Sequence, residues 1–268
     1  MSGKQRIDLL LVQKGFFDSR EKAKKALMSG MVFVDNNLID KPGTKVETNA
    51  NIKIKGGIPY VSRGGFKLEK AIENFKLDLS GKITMDVGAS TGGFTDCMLQ
   101  NGAKKVYAID VGYGQLDWKL RQDDRVICME RTNIRYVKAE DIGEQIDLAT
   151  IDVAFISLKI VLPVVKKLVK EGGEIVFLIK PQFEAGREKI GKKGVVRSKN
   201  THREIIVEIL NFAHEIGLTI KKLTFSPITG PKGNIEFLAY GINSHLSSQL
   251  DVEKISYEVV EKAHRELR

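Results

Sequence analysis

The sequence predicts an α/β protein: a doubly wound, Rossmann-like sheet preceded by a small basic α+β unit. Three observations carry that expectation. From about residue 66 onward, short apolar runs alternate with helix-patterned segments, the rhythm of a parallel sheet covered on both faces. One such run, ending in Asp86-Val87, leads into the glycine-rich turn Gly88-Ala89-Ser90-Thr91-Gly92-Gly93, and a helix-compatible segment follows. Residues 1–60 hold eleven Lys and Arg against six acids, so over half of the net charge of +9 sits in under a quarter of the chain.

Ile7, Leu10 and Leu11 recur at helical spacing, and Gly15 closes that helix. Asp18-Ser19-Arg20-Glu21 reads as a capped helix start, and the helix it opens carries Lys22, Lys24 and Lys25 and stops at Gly30. The runs 31–34 and 38–39 flank the turn Asp35-Asn36-Asn37 as a hairpin, Pro42-Gly43 makes a second turn, and 51–55 alternates as a strand. Gly56-Gly57-Ile58-Pro59 punctuates the chain, which places a first domain at 1–58, a linker at 59–61 and a second domain at 62–268. In the second domain a helix is expected over 66–75, with Ala71, Ile72 and Phe75 inward. Strands follow at 83–87, 106–109, 126–129, 148–151 and 174–179, and helices at 95–100, 115–120, 159–170 and 202–216. An antiparallel pair, 219–226 and 235–240, turns at Gly230-Pro231-Lys232-Gly233, and the helix-like segment 252–267 packs back on the domain.

Hydrophobic residues make up 42% of the chain, enough for a buried core, and the pI near 9.3 suits a polyanionic partner. Cys97 and Cys128 lack Cys-x-x-Cys spacing, so no disulfide framework is expected and a reducing cytoplasm fits. His202, His214, His245 and His264 show no metal-ligand spacing, and no metal site is expected. The start lacks the apolar core of a signal peptide, and no run is long enough to span a bilayer. The expectation is a cytoplasmic protein with no membrane association.

Ligands of an open parallel sheet bind beyond the carboxyl ends of its strands, so polar residues there are candidates. Gly88, Gly92 and Gly93 leave the backbone of the turn open to close approach by a nucleoside cofactor. Asp110, ending the next strand, suits ribose hydroxyls. Ser90 stands where a full Gly-x-Gly-x-x-Gly pattern has its second glycine, and NAD and S-adenosylmethionine both satisfy what remains. Asp152 follows Ala149-Thr150-Ile151. Lys180 follows Val176-Phe177-Leu178-Ile179, where an ammonium needs a partner; Asp152 is the obvious one. Glu236 interrupts the apolar Ile235, Phe237 and Leu238, and Lys67 lies on the helix before the first strand of the sheet.

Five motifs occur in order: Ser62-Arg63-Gly64-Gly65-Phe66-Lys67, the turn from Asp86 to Phe94, Ile151-Asp152-Val153-Ala154-Phe155-Ile156-Ser157, Ile179-Lys180-Pro181-Gln182-Phe183-Glu184 and Gly233-Asn234-Ile235-Glu236. In these the chain resembles the TlyA family, the hemolysin A-like ribosomal RNA methyltransferases, related to the FtsJ-type ribose methyltransferases. Residues from about 4 to 56 resemble the alpha-L RNA-binding module. The resemblance implies an S-adenosylmethionine-dependent methyltransferase sheet with an RNA-binding domain before it. The implied reaction is methyl transfer to a ribose 2′-hydroxyl of ribosomal RNA, on cytidine by family precedent. The family's Lys-Asp-Lys-Glu tetrad falls on Lys67, Asp152, Lys180 and Glu236.

In that reading Lys180 is the general base, which requires a pKa brought down from about 10.4 towards neutrality. Lys67 supplies a neighbouring cation, Asp152 orients the base, and Lys67 with Glu236 positions the ribose. Gly88, Ser90, Gly92 and Gly93 meet the methionine part of the cofactor and Asp110 its ribose. Asn133 is a candidate for adenine, and Asp86 for fixing the turn or reaching the methionine amine. Phe94 belongs to the cofactor turn, although helix packing is its simplest role. Arg6, Arg20, Lys24, Lys25 and Arg63 are candidate RNA contacts, as are Lys189, Lys192, Lys193 and Arg197 in the basic loop after Lys180. Three rival readings are a non-catalytic RNA-binding protein, an NAD-dependent oxidoreductase and a membrane-lysing toxin. The strand-end lysine argues against the first, the lack of a hydride-transfer site against the second, and the lack of a spanning or long amphipathic segment against the third.

Overall fold

The structure, a computed structural model, describes residues 3–28, 30–54, 59–191, 194–244 and 250–267. Gly56, Gly57, Ile58, Lys192, Lys193 and His245 therefore lie outside the described residues. The chain forms two compact units, Met1–Arg63 and Gly64–Arg268.

The first unit runs β1 (Lys4–Arg6), α1 (Ile7–Gln13), α2 (Arg20–Met28), β2 (Val32–Val34), β3 (Asn37–Leu38), β4 (Lys45–Glu47) and β5 (Ile52–Ile54). Helix α1 buries Ile7, Leu10 and Leu11 against Ala23, Ala26 and Leu27 of α2 and Val32 and Val34 of β2. Strand β2 pairs with both β3 and β5. Asp35 and Asn36 turn the first of these hairpins at φ 50° and 65°, the left-handed conformation that a tight two-residue hairpin turn needs. The sequence reading missed β1 and β4, which pair antiparallel as a separate ribbon. Lys-Gln-Arg and Lys-Val-Glu carry too little apolar alternation to register as strands.

The second unit holds α3 (Gly65–Phe75), β6 (Ile83–Val87), α4 (Gly93–Gln100), β7 (Lys105–Ile109), α5 (Trp118–Arg121), β8 (Val126–Met129), α6 (Ala139–Ile142), β9 (Ile146–Ile151), α7 (Leu158–Leu168), β10 (Val169–Ile179), α8 (Pro181–Glu184), α9 (Lys199–Glu215), β11 (Leu218–Phe225), β12 (Phe237–Asn243) and α10 (Val252–Leu267). Its sheet has the order β11-β12-β10-β9-β6-β7-β8. Strands β6 to β10 are parallel, and β12 inserts antiparallel between β10 and β11. The chain leaves β6 towards β7 on one side and returns to β9 on the other, which makes the carboxyl ends of β6 and β9 the topological switch point. Met85, Val87, Ala149, Ile151, Ile175, Phe177 and Ile179 share a core with the apolar faces of α7, α9 and α10. The two-residue strand period then turns Asp86 and Thr150 to the opposite face.

Three expected elements differ. The helix expected over 159–170 ends at Leu168, because Val169 already pairs with Ile146 as the first residue of a longer β10. Asn243 supports that junction by donating its amide to the carbonyls of Lys166, Val169 and Lys170. The helix expected over 115–120 shrinks to α5, since the Gln115 and Leu116 N–H groups donate to the Glu130 carboxylate. Helix α9 starts earlier than expected, at Lys199, where Ser198 caps it by accepting from the Thr201 N–H. Among the described residues no helix is long and apolar enough to cross a membrane.

Candidate active site

The β9–β6–β10–β12 region gathers four charged side chains by register. Ile151 lies beside Val87 of β6 and Phe177 of β10, so Asp152 emerges next to the glycine turn and close to the end of β10. Ile179 lies opposite Phe237 in the antiparallel β10–β12 pair, so Lys180 just after β10 and Glu236 just before β12 come out at the same level. Lys67 arrives from the first turns of α3.

Lys180 Nζ lies 2.5 Å from Asp152 Oδ1, and Lys67 Nζ lies 3.1 Å from Oδ2 of the same carboxylate. Lys67 Nζ also reaches Glu236 Oε2 at 2.7 Å. Of the four, Glu236 is the most enclosed, with a side chain only 1% exposed. Burial raises the Asp152 carboxyl, but the Lys67 and Lys180 ammonium groups outweigh it and hold Asp152 below the usual carboxylate range. Burial likewise works against the Lys67 charge, and the Asp152 and Glu236 carboxylates reverse it, so Lys67 stays protonated. Two neighbouring glycines leave room for this packing. A Cβ on Gly230 would come within 2.2 Å of Glu236 Oε1, and one on Gly88 within 2.6 Å of the Asp152 carbonyl oxygen.

The turn after β6 is tied to β7. Gly88 and Ala89 donate their N–H groups to the Ile109 carbonyl, and Gly88 and Ser90 sit at φ 88° and 49°. Asp110 Oδ2 accepts from the Ser90 N–H at 2.8 Å and Oδ1 from the Gly112 N–H at 2.7 Å. One backbone donor per oxygen orients the carboxylate and leaves each oxygen further acceptor capacity, which fits ribose hydroxyls. This carboxylate, beside the backbone turn that begins at Gly88, fits a nucleoside cofactor at the switch point.

The remaining candidates have other surroundings. Gly92, at φ 94°, is needed for packing: a Cβ there would meet Leu120 Cδ1 at 2.2 Å and Leu116 Cδ1 at 2.8 Å. Gly93 and Phe94 are buried in the first turn of α4. Asp86 is wholly buried, accepting from the Thr95 hydroxyl at 2.7 Å and more distantly, at 3.4 Å, from that of Thr150. Burial, against the Thr95 hydrogen bond and with the Asp152 charge adding to it, pushes this carboxyl up to about 7. Asn133 accepts from the Arg135 N–H at 3.1 Å and from its Nε at 3.3 Å.

Several basic candidates are already paired: Arg6 and Arg20 with Asp8, Lys24 with Glu21, Arg63 with Asp40 and Lys189 with Glu204. Lys25 and Arg197 are exposed.

Sequence reasoning missed two residues near the tetrad. Phe155, three residues past Asp152, is 91% exposed and adopts φ 63°, a conformation that bulky side chains rarely tolerate. Its ring centroid lies 4.9 Å from that of Phe183, three residues past Lys180. The available signal was a phenylalanine in a strand-end segment with no helical or strand periodicity to bury it. Glu184 joins the same two segments by accepting from the Ser157 hydroxyl at 2.6 Å and the Leu158 N–H at 2.9 Å.

Comparison with known proteins gives a family match for each unit. The FtsJ-like methyltransferase model matches residues 60–242, and the S4 domain model matches residues 5–52. YqxC of Bacillus subtilis (strain 168), classed by its name with rRNA methyltransferases, is 50% identical, covering 100% of this chain and 96% of its own. The 16S/23S rRNA (cytidine-2′-O)-methyltransferase TlyA of Mycobacterium tuberculosis is 39% identical, with 90% of each chain covered. A solved Streptococcus thermophilus structure described as a hemolysin superposes with a TM-score of 0.77 at 50% identity, over 99% of this chain and 98% of its own.

Proposed function

The chain belongs to the FtsJ-like methyltransferase family, and from that membership we propose that it methylates the ribose 2′-hydroxyl of a ribosomal RNA nucleotide, using S-adenosylmethionine. The name of the TlyA relative favours cytidine as the target. The observation that carries the reading is one carboxylate, Asp152, shared between two lysines at a strand-end switch point, with Glu236 on the far side of Lys67. A structural ion pair needs one lysine. Two lysines and two carboxylates give a site that is neutral overall yet rich in donors, suited to gripping a hydroxyl and relocating its proton.

S-adenosylmethionine supplies a methyl group already activated on a sulfonium. Asp110 would hold its ribose, and the Gly88–Ser90 backbone its methionine part. The protein's task is to align the ribose oxygen and remove its proton. Lys67, kept charged by Asp152 and Glu236, holds the hydroxyl and fixes its direction. Asp152 holds the Lys180 amine in place, and Lys180, once it has given up its own proton to solvent, takes the proton from the ribose hydroxyl. Alignment contributes alongside base strength, since a positioned hydroxyl reacts far faster than a freely diffusing one. The S4 domain would supply RNA affinity through phosphate contacts, and the reaction would take place in the cytoplasm, where ribosomal RNA is found.

Phe155 adds a seat for the target nucleotide. A phenyl ring 91% exposed beside Phe183 leaves apolar area in water, which a stacked nucleobase would cover. Phe155→Ala is expected to lower kcat/KM for RNA by roughly 5- to 150-fold, the span of about 1–3 kcal/mol for base stacking. Phe155→Trp should restore most of it. Wild-type kcat/KM in the alanine variant would remove Phe155 from the substrate site.

The reading as a whole is tested by mapping 2′-O-methylation of ribosomal RNA with and without the gene, then adding purified protein and S-adenosylmethionine to the unmethylated RNA. One or more sites should disappear with the gene and return with the protein. An unchanged methylation map, with no transfer in vitro, overturns it.

A further inference from the structure

Asp8 differs from every other acid of the first unit. Asp18 and Glu21 pair with Lys22 and Lys24 on the surface of α2, Glu47 with Lys4 and Asp40 with Arg63, and Asp35 accepts from the Asn51 N–H. Asp8 alone among them is wholly buried. From the first turn of α1 its carboxylate takes three N–H groups from two arginines. Arg6 grips it with both prongs, Nε to Oδ1 and Nη2 to Oδ2, each at 3.0 Å. Arg20 donates Nε to Oδ2 at 2.8 Å. The hydrogen bonds from Arg6 outweigh burial and, with Arg20, bring the carboxyl down to about 2, so it stays ionised at any working pH.

This arrangement exceeds what stability asks for. One arginine neutralises a buried carboxylate, and apolar packing in place of a buried ion pair is often as stable. A second guanidinium adds like-charge repulsion and leaves the cluster at +1. Arg6 ends β1 and Arg20 begins α2, and both bond to the one carboxylate. Their side chains remain 42% and 47% exposed, and Arg6 Nη1 and both Nη nitrogens of Arg20 take no part in the bonds to Asp8, which leaves donors for a second anion.

We infer that Asp8 is a positioning residue, fixing Arg6 and Arg20 into a single preformed seat for one RNA phosphodiester. The proposal rests on the RNA-binding reading of the first unit. Guanidinium forks match phosphate oxygens in paired hydrogen bonds, and holding two long side chains in advance removes ordering cost from the binding step.

Charge alone and organisation give opposite signs. Asp8→Asn makes the unit more positive by one, so if charge alone governed binding, affinity for 16S and 23S ribosomal RNA transcripts would rise and its salt dependence would steepen. Organisation predicts binding about tenfold weaker with a shallower salt slope. The joint variant Arg6→Lys/Arg20→Lys keeps the net charge and serves if Asp8→Asn fails to fold; it should weaken binding to a similar degree. Placed on an Arg6→Ala/Arg20→Ala background, Asp8→Asn should cost nothing further, whereas a merely structural role would add its own loss. S-adenosylmethionine affinity should not move in any of these variants. If Arg6→Ala/Arg20→Ala binds RNA like the wild type, the RNA reading of this unit fails. If that variant binds weakly while Asp8→Asn or the double-lysine variant binds as tightly as the wild type, the Asp8 proposal alone is overturned.

Discussion

Lys180→Ala is expected to slow single-turnover methyl transfer by about 10²- to 10⁴-fold, the usual contribution of a general base, while RNA and cofactor bind close to wild type. The fold should tolerate the change. Asp152 keeps its contact with Lys67 at 3.1 Å, so no buried carboxylate is stranded. Removing Lys67 is a different experiment, because Glu236 and Asp152 both depend on it. Lys180→Arg separates the two ways a lysine could serve. Arginine retains the positive charge and can still pair with Asp152, but it does not release its proton in proteins. If Lys180 is the base, the arginine variant should be as slow as the alanine variant. If the ammonium only grips the ribose, arginine should recover much of the rate. Wild-type turnover in Lys180→Arg would sink the base assignment even if Lys180→Ala were inactive.

How much of this site was legible in the chain depended on whether the information was local. Asp152 and Lys180 stand out because strand-end polar residues break apolar runs, and their pairing follows from the switch-point rule. Glu236 also interrupts an apolar run, Ile235, Phe237 and Leu238, but nothing local says what it meets, and Lys67 carries no local mark. They join the tetrad through the insertion of β12 between β10 and β11 and the Ile179–Phe237 register, which sequence spacing does not encode. Only the family resemblance joined them to Asp152 and Lys180 as one tetrad. The same limit explains the early start of β10. Val169 sits at the end of a helix-patterned segment, and pairing with Ile146 overrides that local pattern. Gly92 shows a second use of a missing side chain that the sequence does not reveal: Leu116 and Leu120 occupy the space its Cβ would take. Asp8 entered the sequence reading only as one of six acids in a charge count, since burial of a carboxylate cannot be seen until Arg6 and Arg20 converge on it.

Asp86→Asn should make the second unit more stable at neutral and alkaline pH, by about 4 kcal/mol at the upper end, the linkage value of a shift from 3.8 to about 7. The sign is opposite to that of a salt-bridged carboxylate. Folded Asp86 keeps its proton to higher pH than the unfolded chain does, so its contribution is intact below about 3.8 and is lost as pH rises towards about 7. The cause is physical: the carboxylate is wholly buried, its hydrogen-bond donors are neutral groups of Thr95 and Thr150 rather than a cation, and the Asp152 charge opposes its ionisation. Asparagine keeps an oxygen for Thr95 and never ionises. Urea unfolding followed by circular dichroism at pH 5 and pH 8 checks this. The wild type should lose stability between the two, and the variant should lose markedly less, leaving it the more stable protein at pH 8. Equal losses in both proteins would show that the burden of a buried charge lies elsewhere than at Asp86.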